Sequence, residues 1–130
     1  MEELPDPLTP PGSSVSTFDS FLFNTDRLLG SELLAISTGD EFKAAVCLWC
    51  RAWKQSPAAS LPNDERILAS FSGNPSKWKR IREVALRGFI LCSDGRLYHK
   101  VLAEDALNLI HKKHNYKDRA SNAAKKRWGK

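Results

Sequence analysis

Apolar and polar positions divide the chain into a proline-rich start, a run of amphipathic stretches and a basic end. The most regular stretch runs from Asp40 to Gln55. There Phe42, Val46, Trp49 and Trp53 recur at i, i+4, i+7 and i+11, with Ala45 and Ala52 widening the stripe, which predicts an amphipathic core helix. Thr38 with Glu41 three residues later has the spacing of a capping box, and Asp40 and Glu41 suit the positive end of the helix dipole. The aromatic stripe reads as packing rather than as a cofactor wall. Upstream, Leu28, Leu29, Leu33 and Ile36 predict a shorter helix over Asp26 to Ile36, weakened by Gly30. Phe18, Phe21, Leu22 and Phe23 mark where the chain docks onto the core.

Pro57 to Pro62 reads as a loop held by two prolines, after which Asn63 or Asp64 caps a helix through Ile67, Leu68 and Phe71 to Gly73. The turn Gly73-Asn74-Pro75 leads into a basic helix that Pro75 can open and Gly88 can end. Placed at 100° steps, Trp78, Ile81 and Ala85 share one face with Val84 at its margin, and Ser76, Lys79, Arg80, Glu83 and Arg87 lie opposite. Lys77 and Arg82 flank the apolar stripe, their stems along it and their charges in water. Phe89 and Leu91 then alternate with Ile90 and Cys92, and Leu97, His99 and Val101 with Arg96, Tyr98 and Lys100, across the turn signal Asp94-Gly95. One hairpin face is expected to be buried and the other to present Arg96 and Lys100. Leu102, Ala106, Leu109 and Ile110 suggest a last helix. This order predicts a mainly α-helical, winged helix-turn-helix-like domain over residues 18–116 with a small β-hairpin wing, a flexible Pro/Ser-rich leader over 1–17 and a basic tail over 117–130.

Charge changes the picture more than composition does. The 42% hydrophobic content of 130 residues is ordinary for one domain. The net charge of +5 is unevenly spread: residues 1–65 hold 4 Lys/Arg against 10 Asp/Glu, and residues 66–130 hold 16 against 5. A lopsided surface of this kind is either a partner-facing polarity toward a polyanion or only a solvated face. Residues 111–130, with 8 Lys/Arg and one Asp, add a stretch that could order on a polyanion, and Trp128 beside Lys125, Lys126 and Arg127 could stack on a base. No run approaches the roughly 18 apolar residues of a membrane span, and the start Met-Glu-Glu is acidic where a signal peptide is basic. With three cysteines, an odd number without the pattern of a small secreted scaffold, the expectation is a cytoplasmic protein away from membranes.

Cys47-x-x-Cys50 with His111-x-x-His114 could in principle make a four-ligand zinc site, but the cysteines fall inside the strongest helix, where cysteine behaves as a small hydrophobe. No metal or other cofactor is expected. No nucleophile with a base, carboxylate pair or phosphate-cradling glycine loop stands out. His99 reads as a packed or surface histidine and Asp64-Glu65 as helix N-terminal charge. The chain is therefore read as non-catalytic.

Glu41-Phe42-Lys43-Ala44-Ala45-Val46-Cys47-Leu48-Trp49-Cys50 with Trp53, Leu61-Pro62-Asn63-Asp64-Glu65-Arg66, Trp78-Lys79 and Asp94-Gly95-Arg96-Leu97-Tyr98-His99 together resemble the YdaU-like domain family of phages, prophages and bacterial genomes over residues 18–105. The resemblance implies a winged-helix-like domain in phage DNA replication or its regulation and supplies no catalytic residues. The expectation is a DNA-binding protein, on duplex or single strands. Ser76, Lys77, Lys79, Arg80 and Arg87 would face the groove or its phosphates, Arg96 and Lys100 would hold the backbone, and Lys125, Lys126 and Arg127 would add salt-sensitive affinity. Glu83 and Asp94 would repel phosphate, which favours backbone-dominated binding. The rival is a protein-interaction module docking onto a replication protein without touching DNA, and homo-oligomerisation stays open.

Overall fold

A computed structural model describes residues 3–112. Its elements are α1 (Thr25–Leu29), α2 (Glu32–Ile36), α3 (Gly39–Trp53), β1 (Ser60–Pro62), α4 (Glu65–Phe71), a 3₁₀ turn (Pro75–Lys77), α5 (Trp78–Ala85), β2 (Phe89–Leu91), β3 (Arg96–His99) and α6, a helix over residues 100–112. Helix α3 is the hub, packing against α5, α4, β1 and β3. The capping box forms as the sequence requires: Glu41 N–H donates to Thr38 Oγ1 at 3.3 Å and Thr38 N–H to Glu41 Oε1 at 2.8 Å. Ala44, Ala45, Leu48, Trp49, Ala52 and Trp53 are its buried face. The Trp53 indole, itself buried, donates to the Phe18 carbonyl at 3.0 Å and stacks, tilted, on Phe21 at 5.3 Å, so Phe18 and Phe21 anchor the N-terminal stretch while Leu22 and Phe23 stay exposed.

The fold is mixed α/β, which corrects the expectation of a mainly α-helical winged helix-turn-helix with a hairpin wing. Ser60–Pro62, read as loop, is a third strand. It pairs antiparallel with β3, Leu61 opposite Leu97, so the sheet order is β1-β3-β2. The prolines misled because a strand tolerates proline at its end on a sheet edge, where no ladder hydrogen bond is lost. Leu61 is fully buried and gives this three-residue strand its reason to pair. As the central strand, β3 has neighbours on both sides, and Tyr98, which shares the face of Arg96 that was expected to be exposed, is fully buried, as is Cys92, while His99 is buried on the face with Leu97. Lys100 opens α6 and is not in the hairpin.

The predicted helix over Asp26 to Ile36 is two. Gly30 is the C-cap of α1, and Ser31 caps α2 by accepting from Leu34 N–H at 3.2 Å. The proline-rich stretch lies on the body: Val15 is fully buried, Thr9 Oγ1 donates to the Ala58 carbonyl at 2.7 Å, and Ser93 N–H donates to the Pro5 carbonyl at 2.8 Å. Among the described residues no helix is long and apolar enough to cross a membrane.

Candidate nucleic-acid interface

Helices α4 and α5 are set against each other by one carboxylate. Asp64 caps α4, accepting from Arg66 and Ile67 N–H, and this places Glu65 in the first turn facing α5. Glu65 Oε2 accepts from the Trp78 indole at 2.6 Å and from Arg82 Nε at 3.1 Å, while Oε1 accepts from Arg82 Nη2 at 2.6 Å. This is a two-pronged guanidinium–carboxylate contact with a third donor added. The bond from Arg82, then that from Trp78, holds the Glu65 carboxyl below its usual range. Between the helices, Gly73 takes a left-handed φ of 78°, and Pro75 opens the 3₁₀ turn that feeds α5.

The buried face of α5 is Trp78, Ile81 and Ala85, as the projection requires, and it lies on α3. The opposite face is therefore turned to solvent. Lys79, Arg80 and Glu83 are exposed on it, and neither Lys79 nor Arg80 has an ion-pair partner among the described residues. Ser76 is exposed at the entrance, 3.4 Å from Asn74 Oδ1. Lys77 pairs with Asp40 of α3 at 3.1 Å and Arg87 with Glu32 of α2 at 2.6 Å. Both pairs are about half exposed, and such pairs are worth only about 0–1 kcal/mol, so an incoming phosphate can compete for either cation. Lys100 is exposed at the start of α6.

Arg96 is placed differently from the outward-facing reading. Its guanidinium crosses the sheet, Nε donating to Ser60 Oγ at 2.9 Å and Nη2 to Gln55 Oε1 at 3.2 Å, so it stitches β3 to β1 and to the end of α3. Asp94 is likewise used in the turn, where it accepts from Arg96 N–H and from the buried Tyr98 hydroxyl at 2.6 Å. Loss of solvation, then the neighbouring carboxylate, pushes the Tyr98 phenol far above its ordinary value. Lys125, Lys126 and Arg127 lie outside the described residues, as does His114. Cys47 and Cys50 lie within α3, Cys50 exposed and Cys47 half-buried, and His111 is exposed near the end of α6. The Glu65–Trp78–Arg82 network was not legible in the sequence, since Glu65 and Arg82 are 17 positions apart and helix periodicity links only residues three or four apart.

His99 is buried at the junction of β3 and α6. It caps α6, its Nδ1 accepting from Leu102 N–H at 3.3 Å, and its ring stands edge-on to Trp49 at 5.7 Å and Phe89 at 5.0 Å. Burial depresses its pKa from 6.5 to about 4. A protonated ring would also lose the cap and set a cation at the positive end of α6. Because the unfolded chain takes up this proton at a higher pH than the folded one, stability falls on acidification from 6.5 toward 4. Urea unfolding is expected to show a loss of about 2 kcal/mol between pH 7 and pH 5. The His99→Gln variant should lack that part of the slope.

Comparison with curated proteins and with solved structures returns no match. The family described as "Protein of unknown function (DUF1376)" matches residues 22–106, spanning α1 to β3 and the first turns of α6. The chain therefore belongs to the DUF1376 family.

Proposed function

We propose that this domain binds nucleic acid without catalysing its chemistry, and that the exposed face of α5 makes the contact. The observation that carries the reading is the pair Lys79 and Arg80, adjacent, exposed and without an ion-pair partner among the described residues on a helix whose other face is buried. Lys77, Arg87 and Lys100 extend the cationic surface, and the excess of positive charge in residues 66–130 supports it. Glu83 within the face and Arg96 held in the sheet favour contact with phosphates over reading of bases. The resemblance to YdaU-like domains suggests phage or prophage DNA replication, or its regulation, as the setting.

The test is anisotropy titration of labelled duplex and single-stranded DNA of arbitrary sequence with the full chain at about 50 and 200 mM salt. Binding should be tight at low salt and fall steeply at high salt. Glu83→Lys is expected to strengthen it several-fold by removing one repulsion and adding one attraction. Changing Lys125, Lys126 and Arg127 to Gln should flatten the log–log salt slope by about 3 at most. Absence of binding to either form at low salt would overturn the reading.

A second reading, a protein-interaction module, is favoured by one observation. Leu22, Phe23, Leu29 and Ile36 are all half or more exposed within fifteen residues, and apolar side chains concentrated in this way mark protein-binding surfaces.

A further inference from the structure

Cys47 and Cys50 are nucleophilic side chains that the nucleic-acid surface leaves unused. They stand three positions apart on α3 and so share one face of the helix. Cys50 is exposed, Cys47 is half-buried, and both are free thiols. A cysteine that serves as a small hydrophobe is buried, and the exposed Cys50 does not fill that role. A Cβ added to Gly73 would stand 3.7 Å from the Cys47 sulfur, so that sulfur reaches the edge of the turn between α4 and the 3₁₀ element, which covers it on one side. Helical side chains lean toward the N-terminus, and this directs the Cys50 sulfur over the turn of α3 that holds Cys47. Cβ atoms three positions apart on a helix are about 5–6 Å from each other, wider than the roughly 3.5–4.5 Å that a disulfide spans. The pair therefore stays as two thiols or closes around an intervening atom.

The surrounding charge selects that atom. In helical projection Lys43, Cys47, Cys50 and Lys54 fall within about 60° of one another, with Arg51 beside them. All three cations are exposed, and among the described residues none has an ion-pair partner. Arg51 lies over the Phe71 ring, 5.1 Å from its centroid, at the same turn that the Cys47 sulfur reaches. The Lys54 ammonium donates only to backbone carbonyls, those of Ser16 and Phe18, which leaves its charge uncompensated. Among the described residues no group of three or more His, Cys, Asp and Glu is placed to hold a metal. Tetrahedral zinc, which wants four ligands, is therefore not matched by the pair, whereas a soft ion content with two sulfurs is.

We propose that Cys47 and Cys50 bind one soft monovalent cation, Cu(I), as a two-coordinate bis-thiolate. Thiolate ligands select such an ion. Both thiols release their protons, two sulfur–copper bonds form, and the copper keeps its oxidation state. The complex carries one negative charge, which Lys43, Arg51 and Lys54 offset. The site is separate from the nucleic-acid contact on the outer face of α5, and a failure of either leaves the other standing.

Competition for copper tests it. The reduced full chain is titrated under nitrogen into Cu(I) held by bicinchoninate, and uptake is read as loss of the colour of that chelate. The chain is expected to withdraw one copper per chain and to develop the ultraviolet charge-transfer band of a Cu(I)–thiolate. Cys50→Ser, at an exposed position, should leave the far-ultraviolet circular dichroism unchanged and weaken uptake by about 100-fold or more, because the second sulfur on one helix face acts at high effective concentration. Cys47→Ala should cause the same loss. The proposal is overturned if the chain takes no copper from the chelator, if Cys50→Ser takes it as well as the unaltered chain, or if uptake stops at half an equivalent, which would place the ion between two chains.

Discussion

Gly88→Ala is expected to destabilise the protein by about 3–4 kcal/mol, lowering the melting temperature by roughly 10–15 °C. Two costs combine at this position. Gly88 has φ 89°, a left-handed conformation that charges an alanine about 1–2 kcal/mol. An added Cβ would also stand 2.7 Å from His99 Nε2 and 3.1 Å from its Cδ2. Moving the ring would break its edge-on contacts with Trp49 and Phe89 and its Nδ1 bond to the first turn of α6. Forced overpacking of this kind costs about 1–3 kcal/mol more. The two parts separate in a double-mutant cycle. In a His99→Ala background the clash is gone, and Gly88→Ala should then cost only the backbone part, about 1–2 kcal/mol. Equal cost in both backgrounds would mean that the ring does not set the limit.

Reversal of Lys79 and Arg80 together to Glu is expected to lower affinity for duplex DNA by about 100-fold at low salt, with folding unchanged. Each substitution removes one phosphate contact and adds one repulsion, and contacts of this kind dominate sequence-independent binding. Neither side chain is buried or ion-paired among the described residues, so stability should move by less than about 0.5 kcal/mol. The control is the equal reversal of Lys43 and Arg51, exposed residues of α3, the helix that covers the other side of α5. It alters net charge by the same amount, and it should cost only a few-fold in affinity.

The parts of the fold that local physics decides were legible in the sequence. Thr38 and Glu41 announced the start of α3, and Ala45, Trp49, Ala52 and Trp53 of its stripe are buried, while Phe42 and Val46 are only partly covered and Ala44 and Leu48 join the buried face. The Asp64 cap, the Gly73–Pro75 turn and the division of α5 into a buried and a charged face also follow from propensity and period. What escaped depended on partners distant in sequence. Ser60–Pro62 has no strand signal of its own and exists because β3 lies beside it. The same pairing turned Tyr98 and Arg96 inward. Spacing along one helix names which cations can face solvent, but Asp40 and Glu32, from α3 and α2, decide that Lys77 and Arg87 are paired while Lys79 and Arg80 are not. A cleft beside α3 is assembled from residues as far apart as Phe21 and Leu102, which no local pattern brings together.

Contact between duplex DNA and the exposed face of α5 is measured by the footprint of the DNA on the ¹⁵N-labelled full chain at low salt, read as amide shifts. The shifts are expected to centre on Ser76 to Arg87 and Lys100, with Leu22 to Leu29 undisturbed. A chain whose amides do not move with DNA, or whose shifts fall on Leu22 to Ile36 and spare α5, would contradict it.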